Sequence, residues 1–308
     1  MKVISVILPF YNEELNVALF FQRMSPVLRN IVDCSFELFC VNDGSRDGTL
    51  AALEAARLAD PRILVADFTR NFGKEAALTA GLDLATGDAV VFMDTDLQHP
   101  PELLPELIEK WRQGAAVVLA KRRSRETDTR SYKYFASAFY RVHNLISEVA
   151  IPIDTGDFRL IDRKVADNLK KLPESRRFLK GLFAWVGYNA EVVEYDVEPR
   201  IYGKSSFNKW HSWNLALEGI TSFSTVPLRL WTYIGVLMTG TSFLYVAWII
   251  IRALTFGIDV PGYVTVLSAV TFFGGVQLIG IGILGEYIGR IYIETKRRPN
   301  YLLKKIIR

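Results

Sequence analysis

Two cysteines, Cys34 and Cys40, are the only thiols among 308 residues. Both lie in apolar surroundings, which excludes a disulfide-stapled scaffold and leads us to expect two reduced core thiols in the cytosol. No secretory leader is expected at its start either. The opening "MKVISVILPFYNEE" has too short an apolar run and no small-residue cleavage site, so a first β-strand is expected there. An excess of one charge sign is also absent. Lys and Arg number 37 against 33 Asp and Glu, a formal net charge of +4, so no nucleic-acid partner is expected.

Charge is absent altogether from two stretches of the second half. Half of the residues are hydrophobic, and they are not evenly spread. Up to about residue 230 the chain reads as a charged globular domain. Beyond it, residues 231–251, "WTYIGVLMTGTSFLYVAWIII", and 263–284, "YVTVLSAVTFFGGVQLIGIGIL", contain no ionisable Asp, Glu, Lys or Arg. Each is long enough as a helix to cross a hydrocarbon core of ~30 Å. The tail "KRRPNYLLKKIIR" is dense in cations, and the positive-inside rule puts it in the cytoplasm. A two-pass hairpin at the cell's inner (plasma) membrane then returns both termini to the cytoplasmic side. Between the halves, "FNKWHSWNLAL" and "EGITSFSTVPLRLW" mix Trp and Leu with Lys209, His211 and Arg229, as helices lying in the headgroup plane do. The expected division is a catalytic domain over 1–205, interfacial helices over 206–230 and a membrane hairpin with basic tail over 231–308. "GIGILG" imitates a dinucleotide-binding glycine pattern, but inside an apolar span Gly280, Gly282 and Gly285 read as helix-packing positions. Association into a homo-oligomer through this span is a further expectation. Glu286 marks the headgroup boundary or pairs with a basic residue.

The first half has an α/β rhythm. "VISVILPF", "FELFCVND", "RILVADF" and "AVVFMDTD" are short buried runs, separated by segments of helical spacing. This predicts a mostly parallel, doubly wound sheet, in which ligands lie beyond the carboxyl ends of the strands. Polar residues cluster at those ends: Asn12 and Glu13, Asn42 and Asp43, Arg70 and Asn71, Asp94 and Asp96. In "VVFMDTDLQHPPE" an extended chain would put Asp94 and Asp96 on one face, where two carboxylates repel unless a cation sits between them. The alternative is that Asp96 caps the turn before "HPPELL".

"ILPFYNEE", "VNDGSRDGT", "RNFGKEAALTAG" and "DTDLQHPPE", in this order, resemble family 2 glycosyltransferases of the GT-A fold. With the two apolar spans, the chain is most similar to the polyprenyl-phosphate branch of that family, which holds the bactoprenol glucosyltransferases and dolichyl-phosphate mannose synthase. The resemblance implies transfer of a hexose, with UDP-glucose the favoured donor, to a membrane polyprenyl phosphate such as undecaprenyl phosphate. It further implies that Mg²⁺ or Mn²⁺ is held by Asp94, Asp96 and Gln98, and that Pro9, Tyr11, Asn12, Glu13 and Asp43 hold the nucleoside. Arg70 and Lys74 flank "NFG" at a helix amino terminus, a natural seat for a pyrophosphate. Arg122, Lys133 and Ser137 match the family's acceptor-phosphate residues, with Lys where an Arg would grip bidentately. Asp157 matches the acidic residue near the acceptor and joins Asp96 as a catalytic candidate; Arg159 follows two residues on. "RIYGKSSFNKW" adds Arg200, Lys204 and Ser205 as phosphate clamps. Two other readings share part of this pattern. A processive polysaccharide synthase would carry Gln-x-x-Arg-Trp and more spans, whereas only "SFNKW" is present. The intact carboxylates and cation clusters argue against a non-catalytic membrane adaptor.

Overall fold

The computed structural model of the chain describes residues 1–123, 155–174, 177–196, 226–256 and 262–308. Lys133, Ser137, Arg200, Lys204, Ser205 and almost all of the expected interfacial segment lie outside them.

Eight strands form one sheet: β1 Lys2–Phe10, β2 Cys34–Asn42, β3 Ile63–Phe68, β4 Ala89–Phe92, β5 Val117–Arg122, β6 Thr155–Asp162, β7 Ala190–Tyr195 and β8 Leu303–Ile307. Their order is β7-β5-β6-β4-β1-β2-β3-β8. The β3-β2-β1-β4 block is parallel throughout. β6 runs antiparallel between β4 and β5, and β8 runs antiparallel along β3. The expected mostly parallel sheet is therefore present.

The sheet is covered on both faces, and the period of two explains why its strands are continuously apolar. Ile4, Val6, Leu8 and Phe10 of β1 face one core with Ala89, Val91 and Met93. That side is covered by α1 (Glu14–Asn30), α2 (Thr49–Ala59) and α4 (Leu104–Arg112). Ile7, Val90 and Phe92 face the other core. There they meet α3 (Lys74–Leu84), α5 (Arg163–Lys170) and α6 (Leu179–Trp185). Cys34 and Cys40 are buried and free, as expected.

β4 ends four residues earlier than the apolar-acidic run suggests. Phe92 is its last residue, and Leu97 takes a left-handed conformation with φ 62°. Asp94 and Asp96 thus lie in a turn, not on one face of a strand. Pro9 fixes part of this turn, its carbonyl accepting the Thr95 hydroxyl at 2.9 Å.

Two long helices follow, α7 (Val226–Phe256) and α8 (Tyr263–Lys296). Within the described residues the stretch Phe272–Lys296 is long and apolar enough to cross a membrane. A Cβ on Gly280 would fall within 1.8 Å of Trp231 Nε1, so this glycine admits the facing helix. No such neighbour lies near Gly282 or Gly285 among the described atoms. Among the described residues, the first of the three glycines is the one with a packing neighbour. Glu286 pairs with Arg290 one turn on, at 2.9 Å.

After α8 the chain returns to the sheet. Tyr301 stacks on Phe68, ring centroids 5.2 Å apart, and its hydroxyl donates to Asp83 at 3.0 Å. Thr69 N–H donates to the Leu302 carbonyl, and Lys305 pairs with Glu54 at 2.5 Å.

Candidate active site

The carboxyl ends of β1 to β4 carry the polar residues, as the winding of such sheets requires. At the end of β1 the chain turns sharply, with Asn12 at φ 53°. Asn12 N–H donates to Ser45 Oγ at 3.0 Å and its side-chain oxygen accepts Arg46 N–H at 2.9 Å. Glu13 N–H donates to Thr49 Oγ1, and its carboxylate accepts from Asn16. Tyr11 stands beside them, exposed. These contacts bind the first two strand ends into one rim.

Asp43 is buried at the end of β2, and its two oxygens accept the N–H groups of Phe72 (2.7 Å) and Gly73 (2.9 Å). Burial moves its carboxyl above the usual range despite those two bonds and Arg70. In this state Asp43 shapes the loop that carries Arg70 and Lys74. Gly44 completes the fit: at φ 62°, an added Cβ would sit 2.3 Å from the Arg70 carbonyl carbon. Arg70 itself is exposed, with its guanidinium 3.9 Å over the Phe72 ring.

Lys74, the first residue of α3, is the centre of the site. Its ammonium lies 2.6 Å from Asp94 Oδ1 and 2.5 Å from Asp157 Oδ2. Burial alone would lower its pKa, but Asp157 and Asp94 together raise it above the ordinary lysine value. Asp157 comes from the start of β6, which runs antiparallel beside β4 and so brings it across to the turn. Burial raises its carboxyl, and Lys74 and Lys180 outweigh that, holding it well below the usual carboxylate range. Asp157 therefore pairs with two lysines, and Arg159 adds a weaker pull in the same direction. Asp96 Oδ1 accepts Gln98 N–H at 3.1 Å, a turn-capping contact.

Arg159 departs from the expectation of a phosphate ligand. It is 3 % exposed, donates to the Gly156 carbonyl at 2.8 Å and lies 4.1 Å over the Phe183 ring. The cause is its register: it stands in β6 between Phe92 of β4 and Leu119 of β5, in the middle of the sheet. Arg122 ends β5 beside Tyr195 of β7, half-buried.

Three site residues escaped the sequence analysis. His99 is 2 % exposed, stacks on Phe158 and has its Nδ1 3.7 Å from Asp94 Oδ2. Burial lowers its pKa, which keeps the ring neutral despite Asp94 and Asp96. Lys180, in the first turn of α6, lies 3.6 Å from Asp157 Oδ1. Glu75, next to Lys74, accepts Leu179 N–H at 3.3 Å. His99 lay in plain view inside "DTDLQHPPE"; Lys180 and Glu75 belong to no motif.

Paired carboxylates and cations at the ends of parallel strands can hold a diphosphate and a second anionic group side by side. Known proteins share the frame. The family model "Glycosyl transferase family 2" matches residues 5–170, and "GtrB C-terminal hairpin" matches residues 226–291. The SfII prophage-derived bactoprenol glucosyl transferase of Shigella flexneri is 52% identical over 302 residues, 98% of this chain and 97% of that protein. A prophage bactoprenol glucosyl transferase homolog of Escherichia coli (strain K12) is 49% identical over 303 residues, 98% of this chain and 99% of its own length. Among solved structures, glucosyl-3-phosphoglycerate synthase from Mycobacterium tuberculosis superposes with a TM-score of 0.50 at 21% identity, covering 71% of this chain and 78% of that one. That likeness concerns the GT-A fold alone. A family match over more than half of the chain, and close relatives along nearly all of it, give one answer: the chain belongs to glycosyl transferase family 2 and is a glycosyltransferase.

Proposed function

We propose that this protein transfers glucose from a nucleotide-glucose donor, UDP-glucose, to undecaprenyl or a similar polyprenyl phosphate at the cytoplasmic membrane face. The observation that carries the reading is the Asp94–Lys74–Asp157 array, seated in a chain that matches bactoprenol glucosyl transferases along almost its full length.

The donor nucleoside binds at the rim formed by Pro9, Tyr11, Asn12, Glu13 and Asp43, and its diphosphate lies toward Arg70 and Lys74. The residues at hand fit a divalent cation of limited kind. Asp94 and Asp96 offer hard oxygen ligands, and no group of three His, Cys, Asp or Glu among the described residues could hold a metal alone. Mg²⁺ and Mn²⁺ suit such a setting, since they are commonly held by one or two carboxylates plus substrate phosphates. Asp94 and Asp96 would hold the ion, with Gln98 beside them; when bound it neutralises charge on the departing diphosphate.

The acceptor requires little activation. A phosphate monoester has a second pKa of about 6 and is already largely ionised near neutral pH. One of its oxygens attacks the anomeric carbon, the bond to the diphosphate breaks, and configuration inverts. Asp157 is held ionised by its lysines, so it is a weak base, suited to orienting the acceptor or sugar. Arg122 stands on the acceptor side, and Lys133, Ser137, Arg200, Lys204 and Ser205 complete the phosphate grip.

For the membrane part we read a two-pass hairpin of α7 and α8 with both termini cytoplasmic. The return of β8 to the sheet of the amino-terminal domain supports it, because chain ends sharing one sheet share one side of a membrane. The test uses membranes containing the full chain, undecaprenyl phosphate and a panel of radiolabelled nucleotide-sugars. One acid-labile glucosyl lipid from UDP-glucose is expected. Absence of lipid-linked product with every donor would overturn the reading.

A further inference from the structure

Asp157 is served by two lysines, and they are not equivalent. Lys74 contacts Oδ2 at 2.5 Å but also Asp94 at 2.6 Å, and it stands where the donor diphosphate is read to bind. Lys180 approaches the other oxygen, Oδ1, at 3.6 Å. Asp157 is its one ion-pair partner among the described residues. Lys180 does not owe its place to that pair. Phe178 and Leu179 just before it are buried, and Leu179 N–H donates to Glu75, the residue that follows Lys74. The start of α6 is thereby tied to the first turn of α3, and Lys180 is delivered to the Asp157 oxygen that Lys74 does not contact.

A diphosphate competes with both carboxylates for Lys74, because a charge-assisted bond to a polyanion is the stronger one. Asp157 would then lose its nearest cation at the moment it must orient the acceptor. We propose that Lys180 is a positioning residue that keeps the Asp157 carboxylate aimed once Lys74 has turned to the donor. The inference rests on the reading of the reaction given above. Its physical basis is that a half-buried carboxylate without a cation is free to rotate or take up a proton, and a small misplacement of a catalytic group is costly.

The experiment compares Lys180→Met, Lys180→Arg, Asp157→Asn and the Lys180→Met/Asp157→Asn double variant in full-length protein, with kcat, KM for polyprenyl phosphate and Kd for UDP-glucose as readouts. Lys180→Met should lower kcat by at least ~10-fold while donor Kd stays within about twofold, and Lys180→Arg should recover most of the loss. In the double variant Lys180→Met should add nothing to Asp157→Asn, because the lysine acts through that carboxylate. Unchanged donor binding also shows that the variant is folded. Wild-type turnover in Lys180→Met, or losses that multiply in the double variant, would overturn the inference and leave the proposed reaction standing. A wild-type chain that forms no glucosyl lipid would overturn both.

Discussion

Lys74 answers, at the scale of one residue, how the acidic turn after β4 tolerates its carboxylates. In the protein alone a lysine ammonium stands between Asp94 and Asp157, where a strand-based reading put a cation between Asp94 and Asp96. The neighbouring Glu75 records the cost of crowding. Burial and Asp157 push its carboxyl up to about 7 from the ordinary 4.5, against the pull of Lys74 and Lys180. A carboxyl raised on folding stabilises the native state fully below pH 4.5 and loses that contribution as pH rises through about 7. Glu75→Gln should therefore raise Tm by ~2–5 °C at pH 8 and change it little at pH 5, as read by thermal unfolding in detergent. Equal shifts at both pH values would refute the assignment. Lys74 and Asp157 were legible because each sits in a motif block. Lys180 was not, since long-range packing of α6 on the sheet and its tie to Glu75 of α3 bring it to Asp157, and lysines on short helices are usually solvated.

Elements were legible where their periodicity was long. The four parallel strands follow from buried apolar runs, and the helices between them from their spacing. Two features were hidden. The strand pattern ran on through "MDTD", yet β4 stops at Phe92, because Met93 N–H makes the last bond to Ile7 and the chain then turns. Arg159 looked available two residues after Asp157, yet it lies in a central strand with its guanidinium covered by Phe183 of α6. A third is β8, a five-residue strand in a basic tail that the positive-inside rule only puts in the cytoplasm. Just before it, Tyr301 stacks on Phe68 of β3, which meets Phe72 edge-to-face, centroids 5.6 Å apart, and Arg70 lies over that ring. The tail thus braces the loop that carries Arg70 and Lys74. Tyr301→Ala should cost about 1–3 kcal/mol of stability and weaken UDP-glucose binding, whereas Tyr301→Phe keeps the stack and the affinity. Calorimetric titration with the donor checks this; unaltered affinity in Tyr301→Ala would separate the tail from the site.

For the whole molecule, β8 closes a circuit: the chain leaves the sheet, runs through α7 and α8, and re-enters at the edge of β3. If the hairpin crosses a bilayer, the catalytic sheet is fastened to it at both ends and faces the membrane surface where a lipid phosphate lies. A cysteine at Phe256 should then react with an impermeant thiol reagent from outside the cell, and one at Asn300 only after lysis. The native Cys34 and Cys40 are buried and give little background. The central claim is inverting transfer of glucose onto a lipid phosphate, and the anomeric configuration of the product tests it most directly. NMR of the lipid formed from α-linked UDP-glucose should show a β-linked glucosyl phosphate, with its formation severely slowed in Asp157→Asn. An α-linked product, or glucose on a group other than the lipid phosphate, would contradict the account.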